Sequence, residues 1–411
     1  MGQRMYALPW VLITWGAVGI GLNVGLARFT YGVMLPAIRR DLSLDYLAGG
    51  SLNAVHLAGY LIGTLAAPAI LRRAGASASS KWAHLLVAVG ALLCAAAPAH
   101  PTFGSWVLAV GRLTTGLGAG TGIVAILVVV FAAVTAQQRP LVSAAAWSGM
   151  GVAVIASGLL ISPLLYNPYG WRAAFLVSAG LALAVAFFFV PVSQRPVEAS
   201  AAPPGRLTPT RERAGKASSS QFLFGSYLAF GVAYVAFSTF AGAQLAAIRA
   251  PPWLVGTTWI GFGTMAIVGA ALTVPIVSSA RLKRFALIAA TASGALGCWI
   301  AGMDTASAVG VGALFVGLGV AATPTIVSAV VRERCSDDDY PRVFSLATAA
   351  LGAGQLVGPL AGGALADRFG PTVIPLFAAA AYVVAALLAS CDSQTSGRSP
   401  IRPSRVNQNQ D

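Results

Sequence analysis

The chain has 411 residues, of which 57% are hydrophobic and only 9% are charged, and its mean hydropathy is +0.77. Soluble domains carry about 25% charged residues, so this composition excludes an ordinary water-soluble protein. The net charge of +14 does not indicate nucleic-acid binding, because the basic residues lie in short segments between apolar runs rather than on one basic face. We therefore expect a membrane protein whose surroundings are a lipid bilayer.

Twelve apolar runs follow one another along the chain. A membrane-spanning helix needs about 20 apolar residues, and each run comes close to or exceeds that length. The predicted helices cover 9–36, 46–71, 81–98, 104–132, 140–166, 171–191, 222–248, 254–280, 284–303, 306–331, 342–366 and 371–391. The first run is longer than the apolar core of a signal peptide, which has about 7–15 residues, so it is predicted to be retained.

One connection differs from the others. Residues 192–221 are rich in Pro, Ala, Ser and Arg, a composition that does not bury a core and indicates a flexible linker. The linker separates an N-terminal six-helix half (1–191) from a C-terminal six-helix half (222–391), and residues 392–411 form a tail.

The distribution of Lys and Arg predicts the orientation. With the N-terminus in the cytoplasm, 19 of the 26 basic residues lie in inner segments, five lie in outer segments, and Arg28 and Arg112 lie inside helices. Because basic residues accumulate in cytoplasmic loops, both termini and the linker are predicted to be cytoplasmic. The predicted location is the plasma membrane, the inner membrane of a bacterium.

The two halves share a spacing of small residues and proline. The fifth helix and the eleventh helix carry it at an offset of 196 residues, as Gly149, Gly158, Ser162 and Pro163 and as Ser345, Gly354, Gly358 and Pro359. Equivalent helices run in the same direction, which indicates a parallel repeat. The glycines are predicted to let helices approach closely, and the prolines to provide bends. The expected fold is all-α, with two six-helix halves around a central cavity.

Four local patterns resemble the major facilitator superfamily. They are Arg112-Leu-Thr-Thr-Gly116-Leu-Gly118 in helix four, the paired Gly/Pro spacing often called the antiporter motif, Gly170-Trp171-Arg172-Ala-Ala-Phe175, and Gly363-Ala-Leu-Ala-Asp367-Arg368-Phe369-Gly370. Leu26-Ala-Arg28-Phe29 and Gly59-Tyr60-Leu61-Ile62-Gly63 are similar to the YbfB/YjiJ-type branch. The resemblance implies a secondary transporter that acts by alternating access, with helices one and four on the cavity. It also implies that Gly116 and Gly118 serve packing or conformational change. The loop between helices two and three departs from the family pattern, because Leu71-Arg72-Arg73-Ala74-Gly75 has no Asp.

We single out three ionisable residues inside the predicted helices, Arg28, His56 and Arg112, and none of the twelve acidic residues falls in a helix core. A desolvated cation needs a fixed negative partner, so a cation-binding cavity is disfavoured. Counting from the predicted helix ends places all three about 12–15 Å below the outer side. One hypothesis is that Arg28, with or without Arg112, binds an anionic substrate by bidentate hydrogen bonds. The alternative is that each Arg bonds backbone carbonyls or snorkels outward. His56 either titrates near neutral pH or serves packing.

Polar residues on the presumed cavity helices are weaker candidates, since single polar side chains also join helices. They are Asn23, Tyr31, Thr115, Tyr227, Tyr234, Thr239, Gln244, Thr323 and Gln355. Trp171 and Arg172 are interpreted as an interfacial anchor. The four cysteines have neither metal-ligand nor disulfide spacing, so neither a metal nor a cofactor is expected.

Other function classes lack their motifs. The chain has no H-E-x-x-H, membrane Asp pair or G-x-S-G for an intramembrane enzyme, and no G-x4-G-K-[ST] for an ATP-driven pump. The repeat favours a carrier over a channel. Two hypotheses remain: a proton-coupled or exchange carrier for small organic anions, and an efflux carrier for hydrophobic or drug-like compounds. A monomer is expected.

Overall fold

The computed structural model describes residues 10–135, 138–164, 170–188, 220–277, 279–335 and 340–392. Twelve of its helices are long and apolar enough to cross a membrane, which confirms the predicted number. These spans, α1 to α12, are Trp10–Leu42, Tyr46–Ala74, Ala76–Ala95, Pro101–Ala132, Leu141–Leu164, Gly170–Phe187, Gln221–Ala247, Trp253–Ile276, Leu282–Ala301, Ala306–Arg334, Arg342–Phe369 and Val373–Cys391.

The first helix was predicted to end at Pro36, and this prediction is wrong: the helix continues to Leu42. Pro36 lacks an N–H, so it leaves the carbonyl of Gly32 without its usual donor. That carbonyl faces Gly242 of α7 so closely that a Cβ on Gly242 would lie 2.3 Å from it. The helix ends where Ser43 takes a left-handed conformation, with φ of 52°, and donates its N–H to the Arg39 carbonyl. This end is a common helix C-terminus.

The extension of α1 changes a predicted depth. Arg28 lies 14 residues before Leu42, or about 21 Å from that end of α1, rather than 12–15 Å. Arg28 is therefore near the middle of its helix. The third helix also shifts, to Ala76–Ala95 instead of 81–98. It starts directly after Gly75, whose φ of 76° breaks the chain direction between α2 and α3.

Two of the spans contain π-helical turns, at Gly21–Phe29 in α1 and at Ser157–Ile161 in α5. Such turns are rare and occur often at functional sites. The hydroxyls of Thr30 and Ser157 are hydrogen bonded over 2.6 Å beside these turns. Asn23 and Arg28 both lie in the π-helical turns of α1.

The six helices of each half pack in the same pattern. In the N-terminal half α2 packs on α4, α3 on α4 and α6, and α1 on α5, and in the C-terminal half α8 packs on α10, α9 on α10 and α12, and α7 on α11. The repeated glycines occupy equivalent contacts. A Cβ on Gly149 would lie 1.9 Å from the Ala17 carbonyl of α1, and a Cβ on Gly354 would lie 2.0 Å from the Leu228 carbonyl of α7. The parallel repeat of the sequence is thus a repeat of packing.

The halves meet along a seam formed by α1 with α7, α2 with α11, and α5 with α8. Its closest approaches lie on the side away from the start of α1 and the end of α12, here called the far side. A Cβ on Gly32 would lie 2.1 Å from the Ser238 carbonyl, one on Gly50 2.3 Å from the Pro359 carbonyl, and one on Gly158 2.5 Å from the Gly256 carbonyl. The seam is closed on the far side.

Several predictions concern residues outside the described ranges. They include nearly all of the linker 192–221, its basic residues, and all of the tail 392–411 except Asp392. The predicted domain boundaries therefore stay predictions.

Candidate functional site

Arg28 lies at the seam between the halves, near the end of the π-helical turns of α1. Its side chain is only 7% exposed. The guanidinium donates to the hydroxyl of Tyr234 on α7, and its Cζ lies 5.2 Å from the centroid of that ring. Gln355 of α11 donates its amide to the same hydroxyl over 2.7 Å. Donors from both halves therefore converge on one phenol oxygen.

Arg112 has a different environment, although the sequence analysis predicted a similar depth for both arginines. It is fully buried, and it donates through Nη1 to the Ala27 carbonyl and through Nη2 to Oδ1 of Asn53, each over 2.7 Å. Its Cζ also lies 4.4 Å from the centroid of the Tyr31 ring. The terminal nitrogens of Arg112 are thus engaged by fixed groups of α1 and α2.

Asn53 extends this contact across the seam. Its amide nitrogen donates to the Thr239 hydroxyl of α7 over 2.7 Å, so Arg112, Asn53 and Thr239 form one chain of hydrogen bonds between the halves. Tyr31 donates its hydroxyl to the Gly49 carbonyl over 2.7 Å and has no exposed surface. Sequence reasoning missed Asn53, although a lone Asn inside an apolar run was a usable signal.

His56 packs between α2 and α4. Its Nδ1 lies 3.1 Å from the Thr115 hydroxyl and 3.3 Å from the Arg112 carbonyl. Because Thr115 donates its own proton to that carbonyl, both neighbours act as acceptors and Nδ1 carries the hydrogen. Nε2 is then the unprotonated nitrogen, and it is buried without a partner among the described residues. The ring is held by packing contacts, and Nε2 is enclosed within the protein.

Asn23 is not part of this cluster. It has no exposed surface, and it lies so close to Gly122 of α4 that a Cβ there would be 2.7 Å from its amide nitrogen. His84 of α3, which sequence reasoning overlooked, is also fully buried and donates through Nδ1 to the Ser80 carbonyl over 2.7 Å. Its position in an apolar run is the same signal that singled out His56. Both side chains lie inside the N-terminal half.

The other polar candidates are buried side chains at helix contacts. Gln244 donates to the Ala301 carbonyl over 2.9 Å, and Thr323 and Tyr227 are buried. The interpretation of Trp171 as an interfacial anchor is wrong, because Trp171 is fully buried and donates Nε1 to Asp41 over 2.9 Å. Arg172 pairs with the same carboxylate over 3.3 Å.

The predicted conformational residues lie at helix contacts. A Cβ on Gly116 would lie 2.1 Å from the His56 carbonyl, and one on Gly118 2.5 Å from the Ala83 carbonyl. Gly358 packs in the same way on the Val232 carbonyl of α7, at 2.5 Å. Pro163 follows the π-helical turns of α5, and the carbonyl of Pro359 packs on Gly50.

The two buried arginines, Arg28 and Arg112, have no acidic partner in the described part of the chain. In the described part of the chain, the acidic residues are Asp41, Asp45, Asp304, Glu333, Asp367 and Asp392, all at or near helix ends. Within those same ranges no ion pair joins Arg28 or Arg112 to a carboxylate. No group of three metal-ligating side chains occurs among them either. Arg28 at the seam and Arg112 within the N-terminal half are thus buried cations with neutral partners.

Known proteins are similar to this chain in sequence or in fold. A family described as "Uncharacterised MFS-type transporter YbfB" matches residues 20–391. A protein of Haemophilus influenzae, provisionally described as a metabolite transport protein, is 32% identical over 177 residues, which is 43% of this chain and 42% of that protein. The match therefore spans less than half of that relative's length.

Two solved structures have the same fold. A D-xylose–proton symporter superposes with a TM-score of 0.74 at 14% identity, covering 93% of this chain and 97% of the symporter. The nucleoside transporter NupG superposes with a TM-score of 0.70 at 13% identity, covering 93% of this chain and all of the other. These identities show the shared fold alone. The family match over residues 20–391 shows that this chain belongs to the YbfB family of transporters of the major facilitator superfamily.

Proposed function

We propose that this transporter is a secondary carrier that moves a small organic anion by alternating access, with Arg28 as the anion-binding group. The observation that carries the proposal is the environment of Arg28, a buried cation at the seam whose hydrogen-bonding partner is the neutral Tyr234. A charged side chain at the centre of a membrane helix costs at least about 2.5–3.5 kcal/mol. A carboxylate on Arg28 offsets that cost better than a phenol does, because charge-assisted bonds are stronger.

Arg112 is proposed to position the site rather than to bind substrate. Its two terminal nitrogens already donate to Ala27 and Asn53. An anion at Arg112 displaces fixed groups from α1 and α2 at once, whereas an anion at Arg28 displaces only one hydroxyl. Arg28 therefore has fewer fixed hydrogen-bonding partners than Arg112, and it is the better residue for binding the anion.

The closed far side is proposed to be the outer gate. The excess of Lys and Arg in the predicted inner segments supports a cytoplasmic position for both termini. The structure then represents a carrier that is closed to the outside. A C-terminal fusion tests this: green fluorescent protein fused there is expected to fluoresce and alkaline phosphatase to be inactive, and active phosphatase would reverse the orientation.

We also propose that anion transport is driven either by coupling to protons or by exchange for a counter-solute. Among the described residues no carboxylate pairs with Arg28 or Arg112, so His56, whose buried Nε2 has no partner among them, is the interior residue on which proton coupling would depend. Exchange of one anion for another needs no such residue. Imposing a pH gradient on reconstituted vesicles separates the two mechanisms once uptake by protein-free vesicles, which undissociated acid enters unaided, is subtracted, because only proton-coupled transport then responds to the gradient.

The anion proposal is tested by uptake into proteoliposomes. Purified protein is reconstituted and screened for exchange of radiolabelled acetate, lactate and benzoate, with acetamide, lactamide and benzamide as neutral analogues. Arg28→Gln is expected to lower the anion rate by about tenfold or more, because a hydrogen bond to a charged group contributes about 1.5–3 kcal/mol. Arg28→Lys is expected to recover little, since an ammonium does not reproduce the bidentate fork. Arg73→Gln, an exposed arginine at the end of α2, is the matched control and is expected to transport normally.

A second candidate is favoured by the aromatic rings at the seam. Phe29 of α1 lies 5.6 Å from Phe262 of α8, and Trp259 packs on Phe262 at 5.7 Å. Such rings suit a hydrophobic cargo and support the efflux hypothesis. The same vesicles separate the candidates: transport of a neutral hydrophobic dye that is unaffected by Arg28→Gln, with no anion exchange, would favour efflux and reject the anion proposal.

A further inference from the structure

The hydroxyl oxygen of Tyr234 receives two donors from different helices. Arg28 of α1 belongs to the N-terminal half, and Gln355 of α11 belongs to the C-terminal half. The oxygen therefore accepts N–H groups in the way that one oxygen of a bound carboxylate would. The phenol differs from a carboxylate in being neutral, so it leaves the charge of Arg28 uncompensated.

The ring of Tyr234 is held by its neighbours on α7 and not by the hydroxyl alone. It stacks on Phe230 with centroids 4.8 Å apart, and Phe230 stacks on Tyr227 at 6.1 Å. Loss of the Arg28 contact therefore leaves the ring with its own packing partners. The hydroxyl is the part of Tyr234 that bonds Arg28 and Gln355 at the seam.

We propose that Tyr234 is an internal substitute for the substrate, and that a monocarboxylate displaces its hydroxyl to bind Arg28 and Gln355 together. This inference rests on the proposed function and names its ligand more narrowly. One negative charge is specified because only Arg28 is available, since the terminal nitrogens of Arg112 are bonded to Ala27 and Asn53. Because the donors come from both halves, the bound carboxylate would tie the halves together.

The surroundings favour an apolar body on that carboxylate. The guanidinium of Arg28 lies 5.5 Å from the ring centroid of Phe29 and 5.2 Å from that of Tyr234. Aromatic faces accept flat apolar groups.

Isothermal titration calorimetry on the full-length purified protein tests the inference. Sodium acetate, lactate and benzoate are the probes, and the corresponding amides are the neutral controls. Tyr234→Phe removes the competing oxygen and keeps the ring, so it is expected to bind the anions about tenfold more tightly than the wild type. Tyr382→Phe is the matched control, because the Tyr382 ring also packs on Phe230 and its buried hydroxyl has no partner among the described residues; it is expected to bind as the wild type does.

Gln355→Leu gives an independent measurement, because it removes the donor from the C-terminal half and leaves Tyr234 in place. It is expected to bind the anions about fivefold more weakly. Unchanged or weaker binding by Tyr234→Phe, or wild-type affinity in Gln355→Leu, would overturn the inference. If Arg28→Gln still abolishes binding in that case, the proposed function stands. Absence of anion binding by every protein, wild type included, would overturn both.

Discussion

The far side of the seam is held by a carboxylate that spans the two halves. Asp367, near the end of α11, accepts the backbone N–H of Tyr46 over 2.7 Å and that of Leu47 over 2.8 Å, at the start of α2. The first N–H groups of a helix have no partner within it, and they favour negative charge. These bonds exist only while the far side is closed. Asp367→Asn is therefore expected to shift the carrier towards a state that is open on this side.

The magnitude follows from the geometry of Asp367 and its exposure. An N-cap interaction contributes about 1 kcal/mol, and a charge at a helix terminus adds about 0.3–1 kcal/mol. Asp367 is exposed, which places its contribution at the lower end, and Asn retains one acceptor oxygen. A loss of about 1 kcal/mol raises the ratio of far-open to far-closed carriers about fivefold.

Distances between spin labels measure that ratio. Trp106 on α4 and Phe369 on α11 are exposed on the far side, at 68% and 60%, and they report the opening when replaced by labelled cysteines. The background carries serine at Cys335 and Cys391, the two cysteines that are not buried. The matched control is Asp45→Ala, because Asp45 accepts from Ala48 within the same helix and does not cross the seam. An unchanged distance distribution in Asp367→Asn, or an equal shift in the control, would refute the reasoning.

Four further substitutions concern packing and are checked by the midpoint of thermal unfolding in detergent. Asn53→Leu leaves a nitrogen of the buried Arg112 without its acceptor, so it is expected to lower stability by about 1.5–3 kcal/mol. Gly354→Ala places a Cβ 2.0 Å from a backbone carbonyl and is expected to cost about 1–3 kcal/mol or more, whereas Gly180→Ala meets no atom within 4 Å and is expected to stabilise its helix by about 0.5–1 kcal/mol. Trp171→Phe removes the hydrogen bond to Asp41 and is expected to cost about 1 kcal/mol; a midpoint equal to the wild type would contradict that assignment.

The number of helices and their repeat could be predicted because both have simple physical causes. The thickness of the hydrocarbon layer fixes the length of an apolar run, and close helix contacts need glycine at matching positions, as at Gly149 and Gly354. The end of α1 could not be predicted in the same way. Proline usually ends or bends a helix, but α1 continues past Pro36, and the freed carbonyl of Gly32 packs against Gly242; neighbouring helices make proline tolerable inside a membrane span. That contact comes from α7, more than 200 residues away in the sequence.

The candidate site, like the end of α1, depends on contacts between residues that are far apart in the sequence. The sequence singles out both Arg28 and Arg112, since each is a lone charge in an apolar run. Their difference depends on where their donors go: Arg112 meets Ala27 and Asn53 in its own half, while Arg28 meets Tyr234 across the seam. A residue whose partner lies in the other half is one whose contacts change when the carrier opens. Substrate binding and opening can therefore be linked at Arg28 directly, whereas Arg112 affects the seam only through Asn53 and Thr239.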